Sequence, residues 1–231
     1  MSNDVIYLSN VRVSWPHLAE PQEKVDATTN KKTISYNCEL LMAPDHTGFQ
    51  QFMQRYGALA LEKTKENAAA VMQMLQADRK SRCFGSGDEK IDKKTFKPYT
   101  GYAGNVYITV GNRSQPQMIQ ADGSQIDPLN TMLYQQMARR IYGGCRVNVA
   151  IKPWWQNPNP AKQYGHGVRC DLIAIQFHSD DVAFGEAQVD GSGLFGAVAQ
   201  TAPTFAAPAQ MPAAPFPGAG VPGLPPFMTG R

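Results

Sequence analysis

The stretch "CRVNVAIKPWW", residues 145–155, has the two-residue period of a half-buried strand. Val147, Val149 and Ile151 recur at every second position, with Arg146, Asn148 and Lys152 in the alternate row. The adjacent Trp154 and Trp155 must therefore fall on opposite faces, one in the core and one outward. Downstream, "QNPNPAKQYGHG" (156–167) reads as a loop, and "VRCDLIAIQFH" (168–178) as the last strand.

Upstream the pattern repeats. "DVIYLSNVRVSW" (4–15) and "KKTISYNCELLM" (31–42) are β-branched, alternating strands separated by the long polar connection 16–30. "NVYITVGN" (105–112) is a further strand, and "PQMIQADGSQI" (116–126) a strand with an Asp-Gly turn. "PLNTMLYQQMARRIYGG" (128–144) is a short helix stopped by Gly143 and Gly144. Arg139 and Arg140 sit at its end, where the helix dipole favours cations in any case. Between the early strands, a segment of about 45–80 rich in Ala, Gln, Met, Leu and Glu forms a helical insertion. Gly57 is the expected break in it, with Met72, Met74 and Leu75 filling the core. The fold class expected is mainly β with a helical insertion, an OB-fold-like five-stranded barrel over residues 1–186, although a jelly roll or sandwich would use similar strands.

The remainder, 187–231, is Ala, Pro and Gly with scattered Phe, Leu and Met. Prolines interrupt any helix or strand, so this is read as a disordered tail. Phe195, Phe205, Phe216 and Phe227 recur at ten- or eleven-residue intervals, a spacing suited to multivalent docking on a partner, although composition favours a plain flexible low-complexity extension.

Composition narrows the function. With 42% hydrophobic residues the chain builds a core, but no apolar run approaches the ~20 residues of a membrane span. "MSNDVIYLSN" has no basic region followed by an apolar stretch, so no secretory signal is expected. Cys38, Cys83, Cys145 and Cys170 are widely spaced, and with the four histidines they show no ligand spacing; free thiols and no metal are expected. "CFGSGDEK" lacks the spacing of a phosphate-cradling loop. Asp88, Glu89 and Asp92 leave a metal-dependent nuclease as one alternative, and a structural virion protein is another.

The net charge of +3 conceals an asymmetry, with 21 basic against 15 acidic groups in residues 1–179. Eight cations fall between Arg79 and Arg113, interleaved with five rings. The densest part is "KIDKKTFKPYTGY", residues 90–102. Single-strand binding needs this combination, cations to neutralise phosphates and rings to stack on unpaired bases. The candidates are Arg82, Phe84, Lys90, Lys93, Lys94, Phe96, Lys97, Tyr99, Tyr102 and Tyr107. A second cluster contributes Lys152, Trp154, Trp155 and Tyr164, while Trp15 fits an edge-of-core residue and a groove ring equally.

Six landmarks occur in a telling order: "VRVSWPHLAEP", "SYNCELLMAPD", "GSGDEK", "YTGYAGNVYITVGNRSQPQ", "IYGGCRVNVAIKPWW" and "GHGVRCDLIAIQFHSDDVAFG". This order resembles the OB-fold single-stranded-DNA-binding proteins of tailed bacteriophages, specifically the Enc-type phage group, over about residues 5–186. The resemblance implies a cofactor-free, non-enzymatic protein that binds single-stranded DNA with little sequence preference. Such a protein coats and protects DNA in phage replication, recombination or repair, in the host cytoplasm. Duplex DNA would bind more weakly, the tail would contact replication or recombination proteins, and self-association is compatible with the reading. It places the family's binding loop and strand at "GSGDEK" and "YTGY", supporting Lys90, Lys93, Lys94, Phe96, Tyr99 and Tyr102. Many single-strand binding proteins end in acids that compete with DNA, but the last acid here is Asp190. Any such competition is therefore expected from 180–190.

Overall fold

A computed structural model describes residues 4–25, 32–159 and 165–185. The expected tail 187–231 lies outside them. Seven strands, β1 (Ile6–Val25), β2 (Lys32–Met42), β3 (Phe84–Ser86), β4 (Val106–Asn112), β5 (Gln117–Ile119), β6 (Arg146–Gln156) and β7 (Gly167–Ser179), form one sheet. Its order is β3-β4-β2-β1-β6-β7-β5, antiparallel throughout except for the parallel β5–β7 pair. Five strands are long and two have three residues each, so the sheet exceeds the expected five strands by two short edge pieces.

Strand β1 is the spine. Its first part, Ile6 to Arg12, pairs with β6, and its second part, Arg12 to Val25, pairs with β2. Register shifts fall after Leu8, after Ser14 and after His17, and the first two each contain a residue with positive φ, Asn10 at 54° and Trp15 at 45°. Extra residues of this kind bend a strand and sharpen its twist. The sheet curls far enough for the Val168 N–H of β7 to donate to the Ser81 carbonyl ahead of β3, at 2.9 Å, although β3 and β7 are distant in strand order.

The core is lined by Leu8, Val13, Leu40, Ile108, Val149 and Leu172 from the long strands. Helix α1 (Thr47–Thr64) adds Phe52 and Tyr56, α2 (Ala68–Ala77) adds Leu75, and α3 (Thr131–Arg140) adds Tyr134. The Phe84 ring packs edge-on against Phe52 and Tyr56, with centroids 5.4 and 5.1 Å away, which anchors the insertion to β3. The expected break at Gly57 does not occur. Gly57 sits inside α1 with nothing within 4 Å of where a Cβ would lie, and a solvent-facing glycine costs a helix only ~1 kcal/mol. The chain breaks at Lys65, whose φ of 49° ends α1 before a short 3-10 turn. Leu75 and Met72 pack against the core as expected, whereas Met74 is exposed.

Candidate nucleic-acid interface

A groove of about 870 Å³ is lined by residues of β1, β2, β4, β6 and β7 and by Arg82 and Cys83 ahead of β3. Three guanidinium side chains reach it, those of Arg82, Arg113 and Arg169, together with the rings of Trp15 and Trp154. Strand alternation explains one ring. Val147, Val149, Ile151 and Trp155 of β6 point into the core, so Trp154 points out and is 38% exposed, against 7% for Trp155. Its indole N–H donates to Asp171 Oδ1 at 2.7 Å, and its cross-strand neighbour is Arg169, whose Nε donates to Gln156 Oε1 at 3.1 Å. The orientation of Trp154 is thus fixed by β7. Trp155 donates to His166 Nδ1 at 3.1 Å within the fold.

Trp15 arrives differently. The alternation of Val11 and Val13 would carry it inward, but the irregularity after Ser14 turns it out, and it is exposed. Its positive φ is rare for a bulky side chain. The ring meets Tyr99 edge-on at 5.1 Å and Tyr102 at 5.3 Å. Both tyrosines belong to the loop joining β3 to β4, which is held by short-range bonds. Gly87 N–H donates to the Asn105 carbonyl (2.7 Å), Gly104 N–H to Asp88 Oδ1 (2.9 Å) and Tyr99 N–H to the Lys90 carbonyl (3.0 Å). Beneath the loop, Glu39 of β2 accepts from Lys90 Nζ at 2.6 Å, Tyr102 Oη at 2.7 Å and Thr109 Oγ1 at 3.1 Å.

Segment 180–185 straps this region from the far side. Asp181 faces Arg146 at 2.7 Å and Arg12 at 3.5 Å, and Asp180 accepts from the Tyr142 hydroxyl at 3.2 Å. These two acids have partners within the fold, while Glu186 and Asp190, the other acids of the segment expected to compete with DNA, lie outside the described residues. Phe184 lies 4.3 Å from the Arg12 guanidinium and joins Leu41, Tyr102 and Tyr107 in a second small core. A Cβ on Gly101, whose φ is 83°, would lie 2.2 Å from the Phe184 ring, so only glycine fits there.

The expected residues fall in six different situations. Arg82 and Trp154 line the groove, and Tyr99 joins it through Trp15. Lys93, Lys94, Phe96 and Lys97 are exposed on a turn closed by the Ile91–Pro98 bridge, where Phe96 is 82% exposed. Lys152 is exposed on the same face of β6 as Trp154. Phe84, Tyr102, Tyr107 and Trp155 are buried, so none offers a face to a base; this corrects the reading of these four as stacking rings. Tyr164 lies outside the described residues. Lys90 is inside the site but tied to Glu39. Arg113 belongs to the cation cluster read from the sequence but not to the candidates drawn from it, and Arg169 was passed over, although it follows from the inward row Val168, Cys170 and Leu172, which leaves it outward. Of the acids considered for a nuclease, Asp88 accepts from the loop backbone, Glu89 pairs with Arg82 at 2.9 Å, and Asp92 accepts from Lys94 N–H at 2.9 Å.

The family model described as "Enterobacter phage Enc34, ssDNA-binding protein" matches residues 4–202. "Putative protein p50" of Acyrthosiphon pisum secondary endosymbiont phage 1 is 26% identical over 188 residues, spanning 78% of this chain and 85% of that protein. Among solved structures, the single-stranded DNA-binding protein from bacteriophage Enc34 has 24% identity and a TM-score of 0.55, covering 84% of this chain and 90% of that one. The same phage protein in complex with ssDNA has 23% identity and a TM-score of 0.57, covering 80% and 91%. At this identity the solved structures establish a shared fold.

Proposed function

Because the chain belongs to the family of the Enterobacter phage Enc34 ssDNA-binding protein, we propose that it binds single-stranded DNA along the groove between Trp15 and Trp154. The observation that carries this is the pairing of two outward tryptophans with Arg82, Arg113 and Arg169 in one concavity. Bases stack on the rings without strong sequence preference, and the guanidiniums of Arg113 and Arg169 neutralise phosphates and release counterions, while that of Arg82 is paired with Glu89. Lys93, Lys94, Lys97 and Lys152 extend the positive surface beyond the groove, and Phe96 adds a ring at the tip of the turn.

In this role the protein coats exposed strands and shields them from nucleases and re-annealing during phage replication, recombination or repair, without catalysis, in the host cytoplasm. No helix among the described residues is long and apolar enough to cross a membrane. Duplex DNA binds more weakly, because it does not present unstacked bases to Trp15 and Trp154. Residues 187–231 supply the contact to replication or recombination proteins.

The test is tryptophan fluorescence on titration with an oligo(dT) strand at low and high salt, with anisotropy of a labelled strand read alongside. Salt-sensitive binding with quenching is the expected result. A flat response in both signals at low salt overturns the reading, and magnesium-dependent cleavage of the strand would replace it with a nuclease.

A further inference from the structure

Lys90 lies in the most cation-rich stretch of the chain, and the natural assumption is that it grips phosphate. The geometry points to a different role. We infer that the Glu39–Lys90 pair is the positioning device of the interface, holding the β3–β4 loop so that Tyr99 braces the Trp15 ring edge-on at the groove. This rests on the single-strand-binding reading above.

Four observations support it. The pair is close and shielded: Nζ to Oε1 is 2.6 Å, and the two side chains retain 19% and 11% of their exposure. A phosphate would have to displace a carboxylate from a desolvated partner and leave Glu39 as an unpaired charge, which proteins resist strongly. Second, Glu39 gathers donors from separate parts of the chain, Lys90 and Tyr102 of the loop and Thr109 of β4. Third, the Lys90 backbone transmits the restraint, because its carbonyl accepts from Tyr99 N–H at 3.0 Å. Finally, Lys90 Nζ sits 4.4 Å from the Tyr107 ring centre and 5.8 Å from that of Trp15, so the ammonium is ringed by aromatics as well as paired. The Trp15–Tyr99 contact at 5.1 Å is the outer end of this chain of contacts.

Salt dependence separates positioning from phosphate contact. The double variant Glu39→Gln/Lys90→Met in the full chain removes the tether, keeps net charge constant and leaves no lone buried charge. Its affinity for oligo(dT) should fall by about tenfold, comparable to losing one stacking ring, with reduced quenching at saturation. The slope of log affinity against log salt should stay that of the unaltered protein. A slope shallower by about 0.7 would mean that Lys90 neutralises a phosphate, and overturns the inference. A lowered melting temperature with unchanged affinity and quenching would mean a purely structural pair, and overturns it too. Should the double variant not fold, Tyr102→Phe carries the test, since it removes only a hydroxyl that Glu39 accepts. A smaller loss of affinity at the same slope is then expected, and wild-type affinity overturns the inference. If the unaltered chain itself fails to bind, the functional reading falls; if it binds and the variants match it, only this inference does.

Discussion

Trp154 and Trp155 are consecutive in β6 and serve opposite sides of it, the first bonded to Asp171 in the groove, the second bonded to His166 in the core. Their substitutions should separate cleanly. Trp154→Ala should cost about 1–3 kcal/mol of binding to oligo(dT) and leave the thermal midpoint nearly unchanged. Trp155→Ala should cost about 3–5 kcal/mol of folding stability through the cavity it opens. Fluorescence titration and thermal denaturation of both variants check this, and a Trp154→Ala protein with full affinity would remove that ring from the interface.

The groove guanidiniums should be visible in salt dependence. Arg113→Gln and Arg169→Gln should each make the slope of log affinity against log salt shallower by about 0.7, if each meets one phosphate. The measurement is a set of anisotropy titrations from low to high salt. A variant that loses affinity without a change in slope acts through packing, not charge.

All four thiols are buried and free. Burial pushes Cys83 up to about 12 and Cys145 up to about 11, and raises Cys38 and Cys170 as well. A high pKa leaves almost no thiolate at pH 8, and the thiolate is the reactive species. Dithiobis-nitrobenzoate should therefore react slowly with the native protein and should titrate four thiols in denaturant. Rapid reaction of any cysteine in the native state would show that its cover opens.

Asp181 links stability to pH. The Val182 N–H, and beyond it the Arg12 and Arg146 guanidiniums, hold its carboxyl below the ordinary value of 3.8 despite partial burial. A depressed folded-state pKa contributes stability that is present above the unfolded value and lost as pH falls through the folded value. Asp181→Asn should therefore lower the melting temperature at neutral pH, and the gap to the unaltered protein should close as pH drops below about 3.8. A gap that is constant from neutral to acid pH would show that the charge contributes nothing.

Much of the fold was legible because strand parity is simple. The inward row Val147, Val149 and Ile151 continues to Trp155, so even the choice between the two tryptophans follows from counting by twos. The same count applied to Val168, Cys170 and Leu172 puts Arg169 outward. Local composition was a poorer guide. Tyr102 and Tyr107 look exposed because lysines surround them in the sequence, yet their burial depends on Glu39, Leu41 and Phe184, which are remote in the chain. The helix break at Lys65 was illegible for a related reason, since a positive φ at a lysine has no sequence signature and Gly57 does.

Trp15 has one more consequence, and it concerns what the chain was shaped for. A tryptophan held at a φ of 45° carries strain of about 1–3 kcal/mol that glycine would not. A sequence optimised only for thermal tolerance would place glycine at 15, gain a more robust sheet and lose a ring at the groove. Selecting this protein in the laboratory for heat resistance alone should therefore drift toward glycine at that position, with durability rising as grip on DNA declines.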